Sequence, residues 1–219
     1  VIPAWLYTTR WLVLDVETTG LDPAADRILQ LAAIQVDPGP VFGDAIVSVV
    51  NPGIDIPPEA TAIHGIDRAA AAAAPSFADL VPRLIEVSRG RAVLGYNAAF
   101  DMTFIRAELS RAGHKVTGAG QVADPLVWIK DFDRWEKGPG RHKLEATCRR
   151  WGVKLEAAHD ARADAIAAWD LWVAMVERMH HRFPEDFAAM LGQQGRMARD
   201  QEADFQDWKR RNPKKETAA

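Results

Sequence analysis

Along the first fifty residues the apolar positions fall in short runs rather than at helical spacing. Trp11 to Leu14 are all apolar and lead straight into Asp15, Val16 and Glu17. After a turn at Asp22-Pro23, residues 28–36 (ILQLAAIQV) form a second run, closed by Asp37-Pro38-Gly39-Pro40. Residues 41–50 (VFGDAIVSVV) form a third, stopped by Asn51-Pro52-Gly53. Runs of this length between turn residues predict strands. Their short connections predict an antiparallel meander that begins with the carboxylate-bearing strand.

The period then lengthens. Pro57-Pro58 opens a short helix that Gly65 ends, and Asp67 caps an alanine-rich piece at 69–74. Ser76 with Asp79 has the form of a capping box ahead of a stripe of Phe77, Leu80, Val81, Leu84 and Ile85, with Pro82 inside it as a source of a kink. Residues 91–96 read as a fourth strand, Asn97 as the cap of a helix carrying Phe100, Asp101, Phe104, Ile105 and Leu109, and residues 121–123 as a short fifth strand. A polar stretch from 131 to 143, with Gly138-Pro139-Gly140 at its centre, reads as a mobile loop. Residues 144–151 are helical and stop at Gly152. A long helix then follows His159-Asp160, with Ile166, Trp169, Val173, Val176 and Met179 as its core stripe. Past Phe183-Pro184 the chain is weakly amphipathic at Met197, Phe205 and Trp208 and ends basic and polar. The expected organisation is one domain over 9–181 and a helical, partly disordered tail over 182–219.

Composition changes this picture little. The 219 residues are 48% hydrophobic and 26% charged, with a net charge of -3, which argues against a generally basic nucleic-acid coat. A single cysteine, Cys148, excludes an internal disulfide framework and fits a reducing cytosol, and its place on an apolar helical face suits core packing. No apolar stretch approaches the ~20 residues that span a bilayer. The expectation is a cytoplasmic protein without a membrane partner.

The chemistry lies in the carboxylates. Side chains on a strand alternate faces, so Asp15 and Glu17 point the same way at the end of an apolar run. Like charges there repel unless a cation lies between them, and a hard divalent ion is the usual answer. The plain alternative is a strand end with a solvated acidic rim. Asp101 falls early in the helix after the fourth strand, and Asp164 falls early in the last long helix, with His159 five residues before it. Alone, Asp101 reads as a carboxylate favoured by a helix dipole. Asp160 reads as a helix cap, and Asp124, before Pro125, as the start of the next helix. Trp128 and Trp135 lie near the polar loop and could stack on bases. Lys130, Lys137, Arg141, Lys143, Arg149 and Arg150 suit either a solvated face or contact with a phosphate backbone, and Lys209-Arg210-Arg211 with Lys214-Lys215 a disordered end.

Three segments resemble the exonuclease motifs of DnaQ-like 3′–5′ exonucleases of the DEDDh subgroup. They are Asp15-Val16-Glu17-Thr18-Thr19-Gly20, Asn97-Ala98-Ala99-Phe100-Asp101 and His159-Asp160-Ala161-Arg162-Ala163-Asp164, in that family's order and spacing. The Ile63-His64-Gly65-Ile66 stretch resembles a further family segment, and the likeness spans about residues 9–179. It implies an α/β, ribonuclease H-like fold: a five-stranded mixed sheet with its first three strands antiparallel, flanked by helices. It implies two Mg²⁺ or Mn²⁺ ions held by Asp15, Glu17, Asp101 and Asp164, with Asp15 bridging them and His159 as general base. It also implies contact of Thr18, Glu59 and His64 with the terminal nucleotide, the alternative for His64 being a histidine that satisfies helix-end carbonyls. The activity implied is release of nucleoside 5′-monophosphates from DNA 3′ ends, single-stranded or frayed, in proofreading, replication or repair. The alternatives are an exoribonuclease of the same chemistry and a polymerase-associated, nucleic-acid-binding subunit with little activity. Association with a polymerase or clamp has no recognisable peptide motif to support it.

Overall fold

In a computed structural model, residues 1–115, 120–136 and 138–212 are described. Strand β1 (Trp11–Thr18) runs through the middle of a five-stranded sheet with β2 (Ile28–Asp37), β3 (Val41–Val49), β4 (Ala92–Leu94) and β5 (Val122–Ala123), in the order β3-β2-β1-β4-β5. β2 is antiparallel to both β1 and β3, while β4 and β5 run parallel to β1. The predicted meander and the mixed, helix-flanked sheet are therefore present. β4 is shorter than residues 91–96, because only Trp11 to Val13 of β1 pair with it.

Nine α-helices are assigned among the described residues: α1 (Trp5–Thr8), α2 (Pro58–His64), α3 (Arg68–Ala72), α4 (Phe77–Ser88), α5 (Ala98–Arg111), α6 (Pro125–Phe132), α7 (Leu144–Trp151), α8 (Ala161–Arg178) and α9 (Phe187–Arg211). Their ends follow the local chemistry. Ser76 and Asp79 complete the capping box of α4, and Pro82 is accommodated inside that helix. Asp67 caps α3 by accepting from Ala70 N–H. Gly65 and Gly152 end α2 and α7 in the left-handed conformation that glycine enters without a Cβ clash.

The alternation of β1 sorts its neighbours. Leu12, Leu14 and Val16 pack with Phe77, Val81 and Leu84 of α4 and with Phe104 and Ile105 of α5. Trp11 and Val13 pack on the other face with Trp169 and Trp172 of α8. Asp15 and Glu17 continue that second face toward the amino end of α8. Within α8, Trp169 and Val176 are buried as the stripe predicts, but Leu171, Trp172 and Met175 are buried too, whereas Ile166, Val173 and Met179 are only half-buried. The helix is enclosed by α6 and α7 as well as by the sheet, so its buried arc is wider than a single stripe.

Trp128 lies fully inside the core against Phe132 and Phe183, which corrects its reading as a base-stacking residue beside a loop. α6 carries it inward, and its indole N–H donates to Gln194 Oε1 at 3.2 Å. Gln194 is a buried residue of α9 that also accepts from Asp124 N–H at 2.9 Å and donates to Val122 O at 3.0 Å. The first part of the C-terminal segment is thus docked on the sheet. Lys209, Arg210 and Arg211, expected in a disordered end, are instead the last turn of α9, while Lys214 and Lys215 lie outside the described residues.

One ion pair fixes α5 against the sheet. Arg27, at the head of β2, donates from Nε to Glu108 Oε1 at 2.6 Å and from Nη2 to Oε2 at 2.9 Å, and Glu108 is 2% exposed. Arg27→Met should lower stability by about 3 kcal/mol in urea denaturation, because a buried carboxylate loses its bidentate partner. This is the low end of such losses, since Arg111 stays 3.2 Å from the same group. The double variant R27M/E108M should recover most of the loss. An unchanged urea midpoint for R27M would show that the pair adds nothing.

Candidate active site

The carboxyl end of β1 is where the separated carboxylates meet. Asp101 lies in the first turn of α5, and its Oδ1 accepts from Val16 N–H at 3.1 Å. α5 comes this close because the chain between β4 and α5 includes Gly95. A Cβ there would lie 3.0 Å from Leu14 O and 3.3 Å from Ala98 Cβ. Asn97 precedes α5 but does not cap it with its side chain, contrary to expectation. Its φ of 66° is left-handed, whereas a capping side chain acts from an extended backbone. The Asp124 carboxylate takes over, accepting from Asn97 N–H at 3.0 Å and from Leu126 N–H at 2.9 Å. Asp124 therefore starts α6, as expected, and also secures the amino end of α5.

The third segment arrives on α8. Asp160 caps that helix by accepting from Ala163 N–H at 3.0 Å, as the sequence predicts. His159 precedes the helix with a φ of 65°, and its N–H donates to Asp164 Oδ2 at 3.1 Å. Glu17, His159 and Asp164 each offer a ligand atom within 4.8 Å of the others. The second oxygen of Asp164, Oδ1, is buried without a hydrogen-bond partner.

The electrostatics are those of negative charge held together. Burial, reinforced by Asp101, Asp164, Glu17 and Asp160, raises the Asp15 carboxyl well above the usual carboxylate range. Burial also raises Asp101, against the favourable Val16 N–H. Glu17 is pushed up to about 7 by burial and then by Asp164 and Asp160, and Asp164 to about 6, mainly by burial. A cluster of oxygen donors that resists ionisation, with one buried oxygen unpartnered, suits a hard divalent cation.

A pH dependence follows. An unperturbed Asp or Glu titrates near ~4, so from about pH 4 to 7 the folded metal-free protein retains protons that the unfolded chain has released. The contribution of Glu17 and Asp164 falls as pH rises through that window and levels off above their folded values of about 7 and 6. In EDTA the melting temperature should be higher at pH 5 than at pH 8, and Mn²⁺ should raise it more at pH 8. A melting temperature that climbs with pH in EDTA would contradict the clustering.

Two hollows flank this point. One of about 340 Å³ is lined by Thr18, Glu59, Ile63, His64 and Phe100. The Thr18 hydroxyl is engaged in a turn, donating to Gly20 O at 2.6 Å. His64 Nδ1 accepts from Ile66 N–H at 3.0 Å, so the neutral ring carries its proton on Nε2, which is buried and unpartnered. The ring thus accepts from an N–H just past α2 rather than satisfying helix-end carbonyls as expected, and its Nε2–H is left without a partner. Burial, and then the charge of His159, lower its pKa. The second hollow, about 350 Å³, is lined by Tyr96, Asn97, His142, Lys143, His159 and Asp164.

A family model described as "Exonuclease" matches residues 12–171. The chain belongs to this DnaQ-like exonuclease family. A DNA polymerase III subunit epsilon-like protein of Rhodobacter capsulatus is 32% identical over 200 residues, which are 88% of this chain and 28% of that protein. The DNA polymerase III subunit epsilon of Rickettsia typhi is 31% identical over 173 residues, 76% of this chain and 73% of the relative. A crystal structure of E. coli exonuclease I in complex with a dT13 oligonucleotide matches with a TM-score of 0.70 at 25% identity, covering 80% of this chain and 42% of that one. The chain thus spans less than a third of the Rhodobacter relative and less than half of exonuclease I.

Within this exonuclease domain, the five residues singled out by the motifs lie around the end of β1, and Thr18, Glu59 and His64 line one adjoining hollow. The basic region divides. Arg150 pairs with Asp133 at 3.0 Å, Arg149 with Glu145 at 2.7 Å and Arg141 with Glu136 at 3.7 Å, as on an ordinary charged surface. Lys143 lines the second hollow, Lys130 a neighbouring one, and Lys137 lies outside the described residues. Trp135 is 79% exposed with the Arg134 guanidinium 4.8 Å from its ring centre. Sequence reasoning missed the grip of Asp124 on α5. The sign was there in Asp124-Pro125 closing a strand, but only tertiary structure brings Asn97 to it. No helix among the described residues is long and apolar enough to cross a membrane.

Proposed function

We propose that the protein is a metal-dependent 3′–5′ exonuclease that releases nucleoside 5′-monophosphates from single-stranded or frayed DNA 3′ ends. The observation that carries this is the convergence of Asp15, Glu17, Asp101 and Asp164 on the end of β1, with His159 bonded through its backbone to Asp164. These four carboxylates, Asp15 among them, would hold two Mg²⁺ or Mn²⁺ ions. Such ions supply Lewis-acid activation of the attacking water and neutralise charge gathering on the phosphoryl oxygens. The His159 imidazole takes the proton from that water as general base. The hollow at Thr18 receives the terminal nucleotide, where Glu59 can accept from a sugar hydroxyl and His64 Nε2–H can donate to an oxygen. DNA polymerase III epsilon relatives and an oligonucleotide-bound exonuclease I support DNA as substrate, and they make a polymerase the partner to test first.

Matched DNA and RNA strands labelled at the 3′ or the 5′ end, digested with Mg²⁺, test this reading. The 3′ label should leave at once as a mononucleotide, while the 5′ label stays on a shortening ladder. RNA cleaved faster than DNA would move the assignment to an exoribonuclease, and early loss of the 5′ label would reverse the direction. EDTA should silence turnover and Mg²⁺ or Mn²⁺ restore it. Activity that survives chelation would end the proposal.

A further inference from the structure

Gln30 is a polar residue only 9% exposed, on β2, directly opposite Glu17 in the antiparallel register. Its amide reaches out of the sheet to the start of α8. Nε2 donates to Asp160 Oδ2 at 3.1 Å, and Oε1 accepts from Ala161 N–H at 3.0 Å. The other Asp160 oxygen accepts from Ala163 N–H, so both carboxylate oxygens of the cap are engaged. One side chain of the sheet thus grips both the capping carboxylate and an N–H of the first turn, a donor that no carbonyl within the helix can satisfy.

The residues on either side of this grip are His159, just before it, and Asp164, in the first turn of α8. His159 is held in a left-handed conformation that is unfavourable for a residue with a Cβ, and its N–H is tied to Asp164. A small slide or rotation of α8 would move both away from Glu17, which is fixed on the neighbouring strand. We propose that Gln30 is a positioning residue: its amide sets the separation between Glu17 and the His159–Asp164 pair. This rests on the exonuclease reading above. The sensitivity is expected to be high, because a displacement of ~1 Å at a reacting centre can cost about 10²-fold in rate.

An exchange of the two partners tests it. Gln30→Met keeps the side-chain length and removes both bonds. It should lower kcat about 10–100-fold with KM changed less than about threefold. It should also weaken Mn²⁺ binding and speed hydrogen exchange at the Ala161 amide. Q30E sets carboxylate against carboxylate and should lower kcat at least as far. In the double variant Q30E/D160N the amide and the carboxylate change places at constant charge. The new amide can still cap Ala163 while donating across to β2, so kcat and Mn²⁺ affinity should return to within about threefold of wild type. A double variant no better than Q30E, or wild-type kcat and Mn²⁺ affinity in Q30M, would overturn the proposal. A wild-type protein that cleaves no nucleic acid would remove the exonuclease reading alone, because Mn²⁺ affinity and Ala161 exchange would still decide the role of Gln30.

Discussion

Asp15→Asn should reduce nuclease activity by roughly 10³-fold or more, to background, and yet give a metal-free protein that resists urea better than wild type at pH 8. The two effects have one cause. Burial and the charges of Asp101, Asp164, Glu17 and Asp160 all oppose the ionisation of Asp15. Asparagine keeps the shape and removes the charge, so the repulsion is relieved in the folded state and the ion-holding oxygen set is incomplete. The stability gain should vanish at pH 5, where the wild-type cluster is largely protonated. Near-normal turnover in this variant would refute the metal assignment, and a lower urea midpoint at pH 8 would refute the charge-crowding account.

The second large effect concerns His159. His159→Asn should lower kcat about 10²–10⁴-fold, the usual contribution of a positioned general base. Asparagine is chosen because it tolerates the left-handed backbone at this position, so the N–H donated to Asp164 should persist. Mn²⁺ affinity, measured by calorimetry, should therefore stay within a few-fold of wild type. Full activity would exclude His159 as the base. Loss of Mn²⁺ binding in step with the rate would make it a ligand.

Local chemistry makes much of this legible in the sequence. The parity of Asp15 and Glu17 on a strand placed them on one face, and the face is the one that meets α8. Ser76 with Asp79, Asp67, Gly65 and Gly152 marked element ends through bonds or backbone angles that involve only near neighbours. What escaped depends on register or on distant contacts. Gln30 becomes informative only when pairing sets it across from Glu17. Asn97 carried a capping residue's chemistry, but the fold gives it the wrong φ and hands the task to Asp124, 27 residues on. Trp128 sits beside a polar stretch in the chain but is turned inward by α6, and the buried arc of α8 depends on how many neighbours surround it.

The docking of Gln194 has a consequence for association. Its side-chain amide donates to Val122 O and accepts from Asp124 N–H, two main-chain groups on the open side of β5. That is the pairing a peptide unit of a sixth strand would make, so a helix here imitates a strand and closes the sheet with a single side chain. At the other edge, Val41, Phe42 and Val47 of β3 are exposed. Addition of a further strand at β5 would have to displace Gln194 and the docked part of α9.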